Sequence, residues 1–366
     1  MLAIELAQLG VEEPRPIYRG VAFAASLEVG YRAHLHCRTA SRIQRIVATL
    51  PATSAGALES AASAIDWPSW LVAAPPFSVS AILTDADARA IGEPAVRAAL
   101  ASAVARGFSS LGKSAPRFDP EADDPVLLMA HLRDGICTLG LDTAGRALHK
   151  RGWRLPGHPA VLKETLAAAV LLLAGYDGTE PLCDPMCGSG TIAIEGAYIA
   201  LNKAPLIHRG KDDFAFERQA GFDRQLWRRV SEQARAAKLP APRSPIFASD
   251  LREDHVALAR QTALRARVEK HIRFGTGSFH ELTPPAARGL LVANLPYGER
   301  IGRGALPALY KEVGRTLRKR FAAWRAALLV PAWAPIDALG VQPEHEVALM
   351  NGALEVKLLL FAGDRS

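Results

Sequence analysis

The sequence predicts an α/β protein whose larger, C-terminal part is built on a mostly parallel sheet. Three observations carry that expectation. From Val161 onward, short apolar strands alternate with helix-length segments, as in crossover-connected parallel strands. A glycine-rich turn, Asp184-Pro-Met-Cys-Gly-Ser-Gly-Thr191, joins one of these strands to a helix. Two alternating segments around Asn351-Gly352 close the chain with a type I′ hairpin signal. A length of 366 residues sets an expectation of two or three compact units. Hydrophobic residues at 49% and charged residues at 22% place the chain with ordinary globular proteins and exclude a disordered one. The longest apolar run, 166–174, is far too short to cross a bilayer. The residues after Met1 lack the basic flank and apolar core of a signal peptide. Cys37, Cys137, Cys183 and Cys187 form no secreted-type framework, which points to a reducing cytoplasm.

The elements follow in order. Tyr31-Arg-Ala-His-Leu-His-Cys37 alternates like a strand, and Ser41-Arg-Ile-Gln-Arg-Ile-Val-Ala48 reads as a helix behind a serine cap. Residues 1–50 thus read as the end of a small α/β unit. Next come a turn-like Ile65-Asp-Trp-Pro-Ser-Trp70, a strand at 77–83 and a helix at 94–105 ended by Gly107. Segments 125–132 and 136–142 read as strands paired through Asp134-Gly135. The cationic Leu148-His-Lys-Arg-Gly-Trp-Arg154, followed by Leu155-Pro-Gly-His-Pro159, is the candidate boundary. Beyond it are helices at 161–174, 191–201, 253–268 and 309–321. Strands fall at 182–184, 246–250, 272–274, 290–294 and 324–330.

Chemistry concentrates at two strand ends. Gly188 and Gly190 let the backbone approach a ligand, and the following helix offers unpaired N–H groups and a partial positive charge. With Ala193 the turn also satisfies Gly-x-Gly-x-x-Ala, so a dinucleotide site is a rival. Asp184, at a strand end, can accept hydrogen bonds from an ammonium group. Asp250, ending the next clear strand, can bind two ribose hydroxyls. Standing alone, either is a helix cap or turn residue. The insertion 202–244 between them exceeds the roughly 20 residues of a dinucleotide fold. A Walker loop is excluded because no lysine follows the last glycine, and an esterase elbow because Cys187 precedes Ser189 by two.

The second strand end is Asn294-Leu-Pro-Tyr-Gly-Glu-Arg300. Such a sequence suits methyl transfer to an exocyclic amine, a poor nucleophile whose lone pair is delocalised into its base. Asn294 Oδ1 and the Leu295 carbonyl can accept the two amine N–H bonds. Pro296 lacks an N–H and helps aim that carbonyl, and Tyr297 can stack on an extruded base. The plain alternative is an Asn/Pro/Gly turn with a surface tyrosine.

Together these motifs resemble the THUMP-containing RNA guanine-N2 methyltransferases, most closely the bacterial large-subunit rRNA type. Ile194-Glu-Gly-Ala197, Ala40-Ser-Arg-Ile43, Leu148-His-Lys-Arg-Gly-Trp-Arg154, Lys163-Glu-Thr-Leu-Ala167 and Phe214-Ala-Phe-Glu217 extend the resemblance over almost the whole chain. It implies a ferredoxin-like piece at 1–50, a THUMP RNA-binding domain (α+β) at 51–154 and a Rossmann-like class I methyltransferase domain at 155–366. It also implies S-adenosylmethionine as cofactor and N2-methylguanosine in 23S rRNA as product, with tRNA as the alternative substrate. By position, Asp184, Pro185, Cys187, Gly188, Gly190 and Thr191 would line the methionine end of the cofactor. Lys163, Glu164 and Thr165 would stand nearby, Asp250 would hold the ribose, and Leu251 would lie beside the adenine. Asn294, Leu295, Pro296 and Tyr297 would form the base pocket.

Three positions depart from the family. Leu295 replaces a proline, and Asn-Leu-Pro-Tyr resembles the rRNA adenine dimethyltransferases. Ser278 replaces the acid expected at the adenine amine. The chain begins inside the expected first helix. An RNA-binding relative without turnover and a nicotinamide oxidoreductase are the competing functional classes. The net charge of +7, with the excess after Arg154, suits a polyanionic partner. Lys150, Arg151 and Arg154 are the expected RNA contacts, ahead of the helix run Lys311, Arg315, Arg318, Lys319 and Arg320. No metal is expected: strand alternation would set Cys37 opposite His34 and His36.

Overall fold

The computed structural model describes residues 1–155, 162–210, 213–297 and 303–364, which form two compact units. One comprises Ser41–Leu148 and Arg209–Arg228, the other Met1–Ala40, His149–His208 and Arg229–Ser366.

The first unit is a four-stranded sheet in the spatial order Gln44–Pro51, Ile136–Asp142, Val126–Arg133, Phe77–Leu83, with only the last two strands parallel. Helices Ala55–Ala62 and Glu93–Ser109 bury Leu58, Val96, Leu100 and Val104 with Trp67, Phe77, Leu128 and Leu139. The hairpin expected at Asp134-Gly135 is present, both residues having positive φ (52° and 70°). The helix expected at 41–48 is a strand instead. Pairing of Gln44–Pro51 with Ile136–Asp142 overrides the local serine cap and carries 41–50 into this unit rather than an N-terminal one. Much of the insertion also belongs here. Arg209 donates to the carbonyls of Ala144, Arg146 and Ala147, and Phe214, Phe216, Phe222 and Trp227 pack as an aromatic cluster.

In the second unit, the segment expected as a strand at 31–37 is helix Leu27–His36, capped by Ser26, whose hydroxyl accepts from Val29 N. Its buried Tyr31, His34 and Leu35 follow helical spacing, so the reasoning that set Cys37 opposite the histidines does not apply. Among the described residues no group of His, Cys, Asp or Glu could hold a metal, and no helix is long and apolar enough to cross a membrane. Residues 1–40 attach through a buried ionic cluster. Glu5 accepts from the backbone N–H of Arg38 (2.7 Å) and Thr39 (3.1 Å). Arg38 donates to the carbonyls of Tyr198 and Lys203, while Arg151 pairs with Glu195 (3.2 Å) and donates to the Arg38 carbonyl (2.6 Å).

The main sheet has seven strands: β1 (Leu182–Asp184), β2 (Ile246–Asp250), β3 (Ile272–Thr276), β4 (Leu290–Asn294), β5 (Arg325–Pro331), β6 (His345–Asn351) and β7 (Leu354–Phe361). Their spatial order is β3-β2-β1-β4-β5-β7-β6, with β7 antiparallel to its neighbours. This is the class I, Rossmann-like methyltransferase arrangement, a mostly parallel sheet with a closing hairpin as expected. The closing turn differs in detail: Asn351 pairs with Leu354, and Gly352 (φ 67°) takes the first of two loop positions. Helices Glu164–Leu173 and Thr191–Ala200 cover one face, and Leu306–Arg320 the other. The Leu155-Pro-Gly-His-Pro159 boundary segment, apart from Leu155, and Gly298-Glu-Arg300 lie outside the described residues.

Gly107, expected to end a helix, lies within Glu93–Ser109. A Cβ there would stand 2.5 Å from Trp67 Cδ1, so glycine allows helix and indole to touch. Gly107→Ala should lower stability by about 1–3 kcal/mol despite the gain in helix propensity, measured as a lower urea midpoint.

Candidate functional site

The strand order reverses between β1 and β4, and ligands of open α/β sheets bind in the crevice at the carboxyl ends of strands at such a switch point. Side chains alternate across a strand. Leu182, Ile246, Ala248, Leu290 and Val292 pack on one face, and Cys183, Leu291, Ala293 and Leu295 on the other. By this alternation Asp184, Asp250 and Asn294 share the first face at the ends of three adjacent strands. Asp184 is level with Ala248, and Leu291 with Cys183, so Asp250 and Asn294 each reach two residues beyond it. Two residues of strand are about 6.6 Å. The short β1 therefore leaves a notch with Asp184 at its floor and Asp250 and Asn294 as its walls.

The loop leaving β1 rims that notch. Gly188 (φ 51°) and Gly190 (φ 80°) take left-handed conformations, and a Cβ on Gly190 would lie 3.0 Å from Ala259 Cβ. Cys187 N donates to Ser249 O (2.9 Å) and Gly188 N to Asp250 Oδ2 (2.9 Å), tying the turn to β2. Asp250 Oδ1 also faces Arg252 N and His255 Nδ1, each at 3.1 Å. Three of about four acceptor positions are thus engaged, so Asp250 first of all fixes the glycine turn. Pro185 and Cys187 are buried in the turn, and burial raises the Cys187 thiol pKa. Thr191 opens helix Thr191–Ala200, with Arg154 reaching its hydroxyl at 3.5 Å.

Asp184 is 1% exposed, and among the described residues neither carboxyl oxygen has a hydrogen-bond partner. Burial pushes its pKa up to about 8. The nearby backbone N–H groups of Met186 and Ala193 offset part of that, and the Asp250 charge adds to it. A buried carboxyl with unused acceptor capacity suits a ligand carrying an ammonium group. A carboxylate would suit the positive end of helix Thr191–Ala200 close by.

The remaining expected residues divide. Glu164 is buried against Arg154 (2.9 Å), which also donates to Leu162 O (2.7 Å), so Arg154 joins Glu164 to the glycine-turn helix. Thr165 is buried, and Lys163 is an exposed helix cap. Leu251 is 72% exposed beyond β2. Ser278 Oγ, past β3, accepts from His280 N (3.3 Å). Asn294 Oδ1 accepts a hydrogen bond from the Tyr297 hydroxyl at 2.7 Å, an interaction that sequence reasoning did not foresee. Leu295 turns its side chain into the core beside Leu306 and Tyr310, leaving only its backbone at the strand end, and Pro296 is half-buried.

The expectation of RNA contact is corrected for Arg151, whose guanidinium is buried against Glu195. Arg154 is likewise committed to Glu164 and Leu162. Of the three, Lys150 alone is exposed. In the basic helix, Arg318 donates to Leu339 O and Gly340 O, Arg320 to Glu281 O, and Arg315 pairs with Glu312.

A family model described as an RMKL-like methyltransferase domain matches residues 151–359, and one described as an RlmL ferredoxin-like domain matches residues 1–44. Over 365 residues the chain is 34% identical to the ribosomal RNA large subunit methyltransferase K/L of Shewanella oneidensis, covering 98% of this chain and 51% of that relative. The chain thus spans about half the length of the curated relatives it matches. Among solved structures, SMU.472, crystallised in complex with SAH, aligns with TM-score 0.88 at 27% identity over 100% of this chain and 95% of its own. A protein from Clostridium difficile 630, described as a possible methylase, aligns with TM-score 0.90 at 27% identity over the same shares.

The Asp184 carboxyl generates a pH signature. Its folded pKa of about 8 lies above the unfolded value of about 3.9, so across that interval the folded chain holds a proton that the unfolded chain has lost. This contribution to stability is complete below about pH 4 and is lost as pH rises through about 8. Asp184→Asn should remove the trend. Relative to wild type, the variant should gain at least about 1 kcal/mol between about pH 5 and pH 8 in urea titrations.

Proposed function

The chain belongs to the RMKL-like methyltransferase family, and from that premise we propose that it transfers a methyl group from S-adenosylmethionine to the exocyclic amine of a guanine in large-subunit ribosomal RNA. The observation that carries this reading is the shared notch: a buried carboxyl on β1, with no hydrogen-bond partner among the described residues, on the same sheet face as an asparagine at the end of β4. The name of the Shewanella relative supports large-subunit rRNA as substrate, and the SAH complex of SMU.472 supports the cofactor.

Asp184 would hold the amino group of the cofactor, Gly188, Gly190 and Thr191 its carboxylate end, and Asp250 the ribose, with Leu251 and Ser278 flanking the adenine. Lys163, Glu164 and Thr165 would border the site through the helix that Arg154 ties to Thr191. When bound, the cofactor supplies a methyl group activated by its sulfonium. Asn294 Oδ1 and the Leu295 carbonyl would accept the two N–H bonds of the base amine and turn its nitrogen toward that methyl group. Tyr297 would stack on the base. The contribution of the protein is positioning and electrostatics, with no strong general base required.

The unit formed by Ser41–Leu148 and Arg209–Arg228 would be a THUMP-type RNA grip, and residues 1–40 a ferredoxin-like support for the methyltransferase core. On this reading the protein would act in the cytoplasm.

Mass spectrometry of rRNA and tRNA nucleosides from cells with and without the gene tests the assignment. N2-methylguanosine should fall in large-subunit rRNA alone. A loss confined to tRNA or to methyladenosine would redirect it, and unchanged profiles would refute it. In vitro, Asn294→Ala should lower methyl transfer at least about 100-fold while calorimetric affinity for S-adenosylmethionine changes less than about threefold. Parallel loss of both would place Asn294 at the cofactor instead.

A further inference from the structure

We propose that Lys238, Arg267 and Lys270 form a second RNA contact, an anchor for a phosphate backbone at the end of the main sheet opposite the notch. The inference rests on the reading of the substrate as ribosomal RNA. Arg151 and Arg154 spend their charge on the scaffold, which leaves a polyanion to be held elsewhere. Three segments meet at the far end of the sheet. Helix Thr191–Ala200 runs out into Leu201, Asn202 and Lys203. Leu239 N donates to Leu201 O (2.8 Å) and Asn202 Nδ2 to Ala237 O (3.1 Å), so Lys238 is held between two bonded residues beside this helix end. The buried Lys203 ammonium donates to Ala266 O (2.5 Å), which brings in the end of helix Glu253–Arg265 and, next in the chain, Arg267. A short 3-10 helix, Glu269–His271, then carries Lys270 directly to the start of β3.

Lys238, Arg267 and Lys270 are exposed, and among the described residues none of them forms an ion pair. Glu269, the one acid in the stretch 265–273, is paired with Arg260 at 2.9 Å. The titratable groups beneath register this surplus. Burial, with the charges of Lys238 and Arg267, lowers the pKa of Lys203 to about 7. Burial, with Lys270, Lys238 and Lys203, lowers that of His271. Every charge acting on these two groups is positive, a field that a polyanion would relieve. Arg267 adds a backbone argument. Its φ is 57°, the left-handed conformation that follows a helix end, where glycine is the least strained residue. An arginine there presents a charge to solvent at the cost of strain. The pairing of β2 with β3 fixes the distance to the notch. Ile246 is level with Ile272 and Asp250 with Thr276, so the anchor lies at least about 13 Å along the strands from the notch wall. It therefore touches neither the base nor the cofactor, and its effect falls on RNA affinity.

The test uses the full chain and unmodified large-subunit rRNA transcribed in vitro. In the triple variant Lys238→Gln, Arg267→Gln, Lys270→Gln, the rRNA Kd should rise about 10- to 100-fold at about 0.15 M salt. The slope of log Kd against log salt should fall by about 2 to 3. KM for the rRNA should rise with Kd, while kcat and the calorimetric affinity for S-adenosylmethionine stay within about twofold of wild type. Arg267→Gly removes one charge and relieves the left-handed strain. It should keep or raise the urea midpoint while raising Kd about 2- to 5-fold, a combination that loss of folding cannot produce. Cations that only offset the partial negative charge of two helix ends would give the opposite result. Stability would then fall while Kd and the salt slope held, and the anchor would be overturned. It is overturned equally if kcat falls and KM does not change. Failure of the functional reading looks different: wild type would neither retain nor methylate the transcript.

Discussion

A carboxyl group sealed from water, with no hydrogen-bond partner among the described residues, is the constraint around which the end of the main sheet is arranged. Asp184 sits on a strand of three residues, level with the interior of both neighbouring strands, so its side chain lies inside the notch rather than at its rim. Leaving such a group unpaired costs a fold on the order of 1–3 kcal/mol. The same burial that raises its pKa would strengthen its attraction for a cation brought in with a ligand, because the surroundings screen weakly. The glycine turn follows from this geometry. The chain must leave a short strand, clear the adjacent helix near Ala259 and start a new helix within a few residues, and Gly188 and Gly190 provide the left-handed backbone that allows it.

Helix Thr191–Ala200 then has two duties. Its first residue belongs to the notch, while Glu195 in its middle is buried against Arg151, which also holds the backbone of Arg38. Breaking a buried pair of this kind strands a charge. The N-terminal segment is therefore bonded to the element that presents the glycine turn. The cationic stretch at 148–154, attractive in sequence as a nucleic-acid contact, spends Arg151 and Arg154 on that scaffold.

What could be read from the sequence was what local pattern determines. The seven strands of the main sheet, the glycine turn and the asparagine at the end of β4 announce themselves through short apolar runs bounded by turn residues. The misreadings have identifiable causes. In Tyr31-Arg-Ala-His-Leu-His-Cys37 a seven-residue window shows alternation, yet Tyr31, His34 and Leu35 also satisfy helical spacing, and the deciding cap, Ser26, lies upstream of the window. At 41–48 a serine mimics a helix start, but partner strand Ile136–Asp142, some ninety residues away, decides the outcome. Burial of Arg151 and the Tyr297–Asn294 bond are tertiary facts with no local trace.

Leu295 shows how placement changes the meaning of a residue. As a departure from a family motif it draws attention to the base pocket, and with it to the choice between guanine and adenine. In the fold its side chain alternates away from Asn294 into the core on the opposite face, so it is not placed to sort bases by contact. Its backbone is another matter. Leu295 N donates to Leu329 O at 3.0 Å, extending the β4–β5 ladder one residue past the strand. A proline at that position has no N–H and could not make that bond. The bond thus fixes the Asn294–Leu295 peptide, one unit before the carbonyl that the proposed reading directs at a base amine. On the proposed reading, any effect of Leu295 on the base would run through this anchored backbone rather than through contact of its side chain.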